Sequence, residues 1–118
     1  MLYLFCRELL NVWRICRPLT ALRFFALVVG HFPSIVRERK LYAADRGMRG
    51  IVEYRLLGRW IPVDLEQYRD GTPFAFLREF AGRNAYFRCF DPDRLRFDVA
   101  VDAGANAGIV SEALSVLG

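Results

Sequence analysis

Near its end the chain reads Phe97-Asp98-Val99-Ala100-Val101-Asp102-Ala103-Gly104-Ala105-Asn106-Ala107-Gly108-Ile109, and no other stretch limits the fold so tightly. Phe97, Val99 and Val101 stand among small or apolar neighbours, the composition of a strand covered on both faces. That strand meets an acidic residue and then a loop built only of Gly, Ala and Asn. A helical run follows, with Ile109, Ala113, Leu114 and Leu117 falling on one side. Strand, small-residue loop and helix in this order make the first half of a Rossmann-type unit.

The residue types follow from what such a bend does. Backbone that lies against a ligand at the carboxyl end of a parallel strand tolerates only small side chains. Gly104 and Gly108 permit close approach and positive φ, and Asn106 is among the few other residues that tolerate left-handed geometry. Asp102, at the strand tip, offers a carboxylate to an ammonium or to loop amides. The plain alternative for the two glycines is a tight strand-to-helix turn that binds nothing.

Spacing separates the candidate ligands. Dinucleotide sites carry G-x-G-x-x-G, which sets pyrophosphate on a helix N-terminus. The string here is D-x-G-x-N-x-G, which disfavours a dinucleotide-dependent reductase, and no Lys-Ser/Thr follows the glycines as a Walker-type loop requires. A carboxylate at the strand end suits a cationic amino-acid moiety, which S-adenosylmethionine carries without any pyrophosphate.

The segment from Val101 to Gly108 resembles the first cofactor motif of the FkbM family of S-adenosylmethionine-dependent methyltransferases, in which Asp-x-Gly-Ala-Asn-x-Gly is characteristic. Leu77-Arg78-Glu79-Phe80, followed by Tyr86, is similar to the Arg-Glu-x-(x)-Tyr-bearing stretch that precedes the motif in that family. A hairpin over residues 51–64 suits its N-terminal extension. The resemblance covers residues 50–118. It implies an α/β chain whose helices and hairpin lead into a Rossmann-like class I methyltransferase fold, with S-adenosyl-L-methionine as cofactor. The implied reaction is methyl transfer to an oxygen or nitrogen of a small molecule or glycan. By the same resemblance Asp102, Gly104, Asn106 and Gly108 line the methionine side of the cofactor, with Glu79 and Tyr86 as site neighbours; no residue is marked as the catalytic base.

A βαβ unit takes about 30 residues or more, whereas residues 98–118 supply 21. The acidic residue that holds ribose hydroxyls stands about 20 residues beyond the glycines, past position 118. The expectation is a truncated Rossmann-like domain, and a 118-residue chain that transfers no methyl groups.

Ahead of this region the pattern is helical. Leu2, Phe5, Leu9, Val12, Cys16 and Leu19 recur at spacings of three and four, with Arg7, Asn11 and Arg14 on another side. Pro18 ends or kinks that helix near Arg17. Thr20 is placed to cap a second helix over residues 21–29, with Gly30 as its stop, and Ser34 a third that runs to about Arg46. The longest charge-free run, residues 24–36, has 13 residues and contains Gly30, His31 and Pro33, against the ~20 that cross a bilayer. Charges and apolar residues also come in the wrong order for a signal peptide.

From Arg49 the period shortens. Ile51, Glu53 and Arg55 alternate with Val52, Tyr54 and Leu56, and Gly58 precedes Trp60-Ile61-Pro62-Val63, which predicts a hairpin with Pro62 at an edge or strand end. Thr72 and Pro73 open a further helix, with Phe74, Leu77, Phe80 and Ala81 inward and Gly82 as its limit. A short strand is expected over residues 85–90. Asp91, Asp93 and Asp98 flank or follow a proline and read as turn formers rather than metal ligands. Three regions result: basic amphipathic helices over 1–46; hairpin, helix and short strand over 47–96; and the start of the Rossmann-like unit over 97–118.

Charge divides the chain. Residues 1–59 hold 11 Arg/Lys against 4 Asp/Glu, net +7, and residues 60–118 hold 6 against 9, net −3. A basic face beside Phe and Trp fits either a helical cap packed on the rest of the protein or a helix lying on anionic lipid. The second option defines the competing function: a small non-enzymatic protein that docks on a membrane surface or a partner through its basic amphipathic N-terminal helices, with residues 1–30 as the peripheral membrane contact. The arginines are scattered and no recognition motif accompanies them, so nucleic acid is not an expected partner. Three cysteines and a single histidine, His31, argue against a disulfide scaffold, a zinc site and Cys–His or Ser–His catalysis. A cytoplasmic setting, peripheral at the membrane in the competing reading, is the expectation.

Overall fold

The computed structural model describes residues 2–68, 72–83, 99 and 109–117. Four helices come first: α1 (Leu2–Ile15), α2 (Pro18–Gly30), α3 (Phe32–Glu38) and α4 (Tyr42–Gly47). Strands β1 (Ile51–Leu56) and β2 (Arg59–Asp64) pair antiparallel, and a single 3-10 turn, Leu65–Gln67, follows them. Helix α5 (Pro73–Leu77) runs on as one π-helical turn over Arg78–Gly82, and α6 (Ile109–Leu117) is the last described element. The chain is thus a mixture of helix and strand, with a two-stranded antiparallel sheet among the described residues.

Proline sets the helix boundaries. Pro18 has no N–H for α1 to use, and its fixed φ suits the first turn of a new helix, so α1 stops at Ile15 and α2 opens on Pro18 itself. Thr20 therefore lies inside α2 instead of capping it, with Arg17 as the capping residue. The same holds next door, where Pro33 occupies the first turn of α3, His31 precedes it, and Ser34 is internal. The expected third helix is also two helices. Arg39 takes left-handed geometry at φ 55° and ends α3, and the chain restarts at Tyr42. The break lets Ile35 on one segment and Leu41, Ala44 and Met48 on the next all reach the core.

The hairpin follows its alternation. Leu57 and Gly58 form the two-residue turn with φ of 49° and 78°, the paired positive values that match the twist of the flanking strands. Leu56 faces Arg59 across the turn, Tyr54 faces Ile61, and Glu53 faces Pro62. Counting from the turn, the Glu53–Pro62 pair is a non-hydrogen-bonded one, so the missing N–H of Pro62 costs the ladder nothing. The register continues past the strands, where the Leu65 amide donates to the Gly50 carbonyl at 3.0 Å.

One core joins the elements. Val12 and Ile15 from α1, Phe24 and Val28 from α2, and Ala44 from α4 meet Tyr54, Ile61 and Val63 of the hairpin. Phe74, Leu77 and Phe80 from α5 and its π-turn join them, and Ile109, Ala113 and Leu117 come from α6. Phe24 and Phe74 pack with ring centroids 5.0 Å apart. A bridge between Cys16 and Tyr54 joins the α1–α2 junction to the hairpin. Of the apolar residues expected inward on α1, Val12 and Cys16 are buried and Phe5 and Leu9 partly so, whereas Leu2 and Leu19 at the two ends face outward.

Candidate functional site

Asp102, Gly104, Asn106, Gly108 and Tyr86 lie outside the described residues, as do Asp91, Asp93, Asp98 and the expected strand over 85–90. Val99, from the expected strand at 97–101, is exposed rather than covered on both faces. Among the described residues no strand pairs with it, and a strand becomes two-sided only with parallel neighbours and helices around it.

The helix that the motif leads into is described. Helix α6 opens at Ile109, one residue past Gly108, and buries Ile109, Ala113 and Leu117, three of the four positions expected inward. It rests on β2. Two polar groups pin it. The Arg59 guanidinium donates to the carbonyls of Val116 at 3.0 Å and Leu117 at 3.4 Å, meeting the bare acceptors and negative end of the helix. The Tyr68 hydroxyl donates to a Glu112 carboxylate oxygen at 2.9 Å. Burial and that acceptor push the Tyr68 phenol up to about 12. Arg59 and Tyr68 thus fix the helix at its far end and middle.

Glu79 sits exposed on the π-turn after α5, which packs against α1 and β1. No hydrogen bond or ion pair joins it to α6 among the described residues. Its neighbour is the site that periodicity alone does not reveal. Arg78 is buried and donates twice to Asp45, Nε to Oδ1 at 2.8 Å and Nη2 to Oδ2 at 2.7 Å, and its Nη1 donates to Glu8 at 2.6 Å. Arg83 approaches the other Glu8 oxygen at 3.2 Å, and the Phe24 ring lies 5.7 Å from the Arg78 guanidinium carbon. Burial opposes the Arg78 charge, but the hydrogen bonds and charges of Asp45 and Glu8 outweigh it and hold the guanidinium above its ordinary value. Burial pushes the Asp45 carboxyl up, against the pull of Arg78.

This cluster is a structural joint. It ties α1, α4 and the π-turn through one planar fork, and every charged oxygen in it is engaged by a guanidinium. A signal for it exists in the sequence: Glu8 shares the helical face of Val12 and Ile15, and Arg78 interrupts Phe74, Leu77 and Ala81. A charge on an inward face needs a partner of opposite sign.

Among the described residues no three His, Cys, Asp or Glu side chains converge to hold a metal ion. His31 lies exposed between α2 and α3. No family model matches the sequence, no curated protein matches it, and no solved structure matches its fold.

Proposed function

We propose that this chain is the N-terminal part of an FkbM-like, S-adenosylmethionine-dependent methyltransferase. Asp102, Gly104, Asn106 and Gly108 hold the methionine side of the cofactor, and the acceptor is an oxygen or nitrogen of a small molecule or glycan. One observation carries the reading. The D-x-G-A-N-x-G string runs directly into a helix that starts at Ile109 and is held against the hairpin, the order of a Rossmann-type cofactor turn.

When bound, the cofactor supplies an electrophilic sulfonium methyl. The chain's own residues bind and orient it: Asp102 receives the ammonium, and the small residues after it let the main chain approach.

The test is a titration with S-adenosylhomocysteine followed by amide NMR. Shifts centred on residues 102–108 that vanish in Asp102→Ala, with none for NAD, are the expected result. A spectrum unchanged at millimolar ligand overturns the cofactor assignment.

A further inference from the structure

Independently of the methyltransferase reading, we infer that α1 and α2 together form an in-plane docking surface for an anionic lipid bilayer. On α1 the inward face is used by Glu8, Val12 and Ile15, yet a second apolar row remains outside. Leu2, Cys6, Leu10 and Trp13 follow one another at spacings of four, four and three, and all four are exposed. Leu2 is 77% and Leu10 55% exposed, values that burial in the protein's own core does not explain. Arg7 and Arg14, seven residues apart, line the neighbouring row and are exposed as well.

Helix α2 repeats the arrangement. Leu19, Leu22, Ala26 and Val29 make an exposed row, with Leu19 at 79% and Val29 at 75%, and Arg23 stands beside it. The Trp13 ring stacks on Phe25 of α2 with centroids 6.2 Å apart, which joins the two rows at their edge. Contiguous apolar area rimmed by charge marks an interaction surface, whereas singly scattered apolar residues do not.

Charge decides what covers it. Between Leu2 and Arg49 there are nine Arg and Lys side chains, all exposed, against three carboxylates. Two of those three, Glu8 and Asp45, turn inward to Arg78 and are buried, so Glu38 is the one acidic side chain facing outward in this layer. The internal ion cluster thereby removes negative charge from the outer surface and leaves it more basic than composition alone suggests. Exposed Leu, Val and Trp among arginines is the chemistry of an interfacial helix, with arginine heads at the phosphates and apolar groups below them. Crossing is not implied. No single described helix is long and apolar enough, and α2 and α3 reach that length and composition only together across a 75° bend.

The experiment is co-flotation of the full chain with phosphatidylcholine vesicles, with and without one-quarter phosphatidylglycerol, at low and high salt. A Trp60→Phe background makes Trp13 the fluorescent reporter. Binding confined to anionic vesicles, weakened by salt and accompanied by a blue shift of Trp13, is expected. Leu10→Glu/Trp13→Glu abolishes flotation with unchanged far-ultraviolet circular dichroism, and Arg7→Gln/Arg14→Gln lowers vesicle affinity by roughly tenfold or more. Absence of binding to anionic vesicles at low salt overturns the inference. So does equal binding to neutral vesicles, or a solution dimer that Leu10→Glu/Trp13→Glu dissolves while vesicle binding stays absent.

Discussion

Arg78 occupies a position where helical spacing asks for an apolar side chain, and its two carboxylate partners arrive from residues 33 and 70 positions away. Removing one member of a buried ion cluster leaves the others charged and unpaired. Arg78→Met is expected to cost about 3–5 kcal/mol in urea unfolding, and Arg78→Lys to recover little because an ammonium cannot reproduce the two-pronged contact with Asp45. Replacing the set together, as Glu8→Leu/Asp45→Leu/Arg78→Met, is expected to return to within about 2 kcal/mol of wild type, since no charge is then stranded. If the single and triple variants unfold alike, the cluster does not act as a unit. The two described thiols, Cys6 and Cys16, divide by burial. Burial pushes Cys16 up to about 12, whereas Cys6 is exposed. Alkylation of the native protein at pH 8, mapped by peptide mass spectrometry, is therefore expected to label Cys6 and to spare Cys16 until denaturant is added.

Among the elements, the hairpin was the most legible, because a period-two pattern with a glycine between its halves has few other solutions. Even there the sequence hides one detail, since Leu57 shares the left-handed geometry with Gly58. Gly58→Ala meets no atom within 4 Å, so its cost is purely conformational. It is expected to lower stability by about 1–2 kcal/mol, and Gly58→Asn by clearly less; equal losses for both would point to packing instead. The helices were legible as helices and in several ends, Gly30 closing α2 and Thr72, Pro73 and Gly82 bounding α5 with its π-turn, but not in the starts of α2 and α3. Thr20 and Ser34 have the chemistry of caps, yet Pro18 and Pro33 stand ahead of them and claim the first turns. The inward stripe of α6 was readable from residues 109–117 alone, but not its anchoring by Arg59 and Tyr68, which lie 44 or more positions upstream.

For the molecule as a whole, two phenols, Tyr54 buried and Tyr68 partly so, couple the fold to alkaline pH. Tyr68 is pushed up to about 12, and Tyr54 is raised as well, first by burial and then by nearby Glu112. A raised phenol keeps its proton in the folded state after the unfolded chain has released it. Its stabilising contribution is therefore complete below the ordinary value near 10 and is lost as pH climbs through the folded value. Urea midpoints are expected to hold up to pH about 10 and to fall between about 10 and 12, with a shallower fall in Tyr68→Phe. A flat profile across that window would sink the prediction.

Read alone, the amino-acid order was enough to locate the hairpin and the helical segments, because each is local: a period, a proline or a glycine acts on its immediate neighbours. What it could not say is where an inward-facing charge finds its partner and which apolar rows stay out. Glu8 and Leu10 lie two positions apart on α1, yet the carboxylate is buried and the leucine exposed. Only the approach of Arg78 from a distant turn makes that inversion favourable, since a carboxylate can leave water only for a partner of opposite charge.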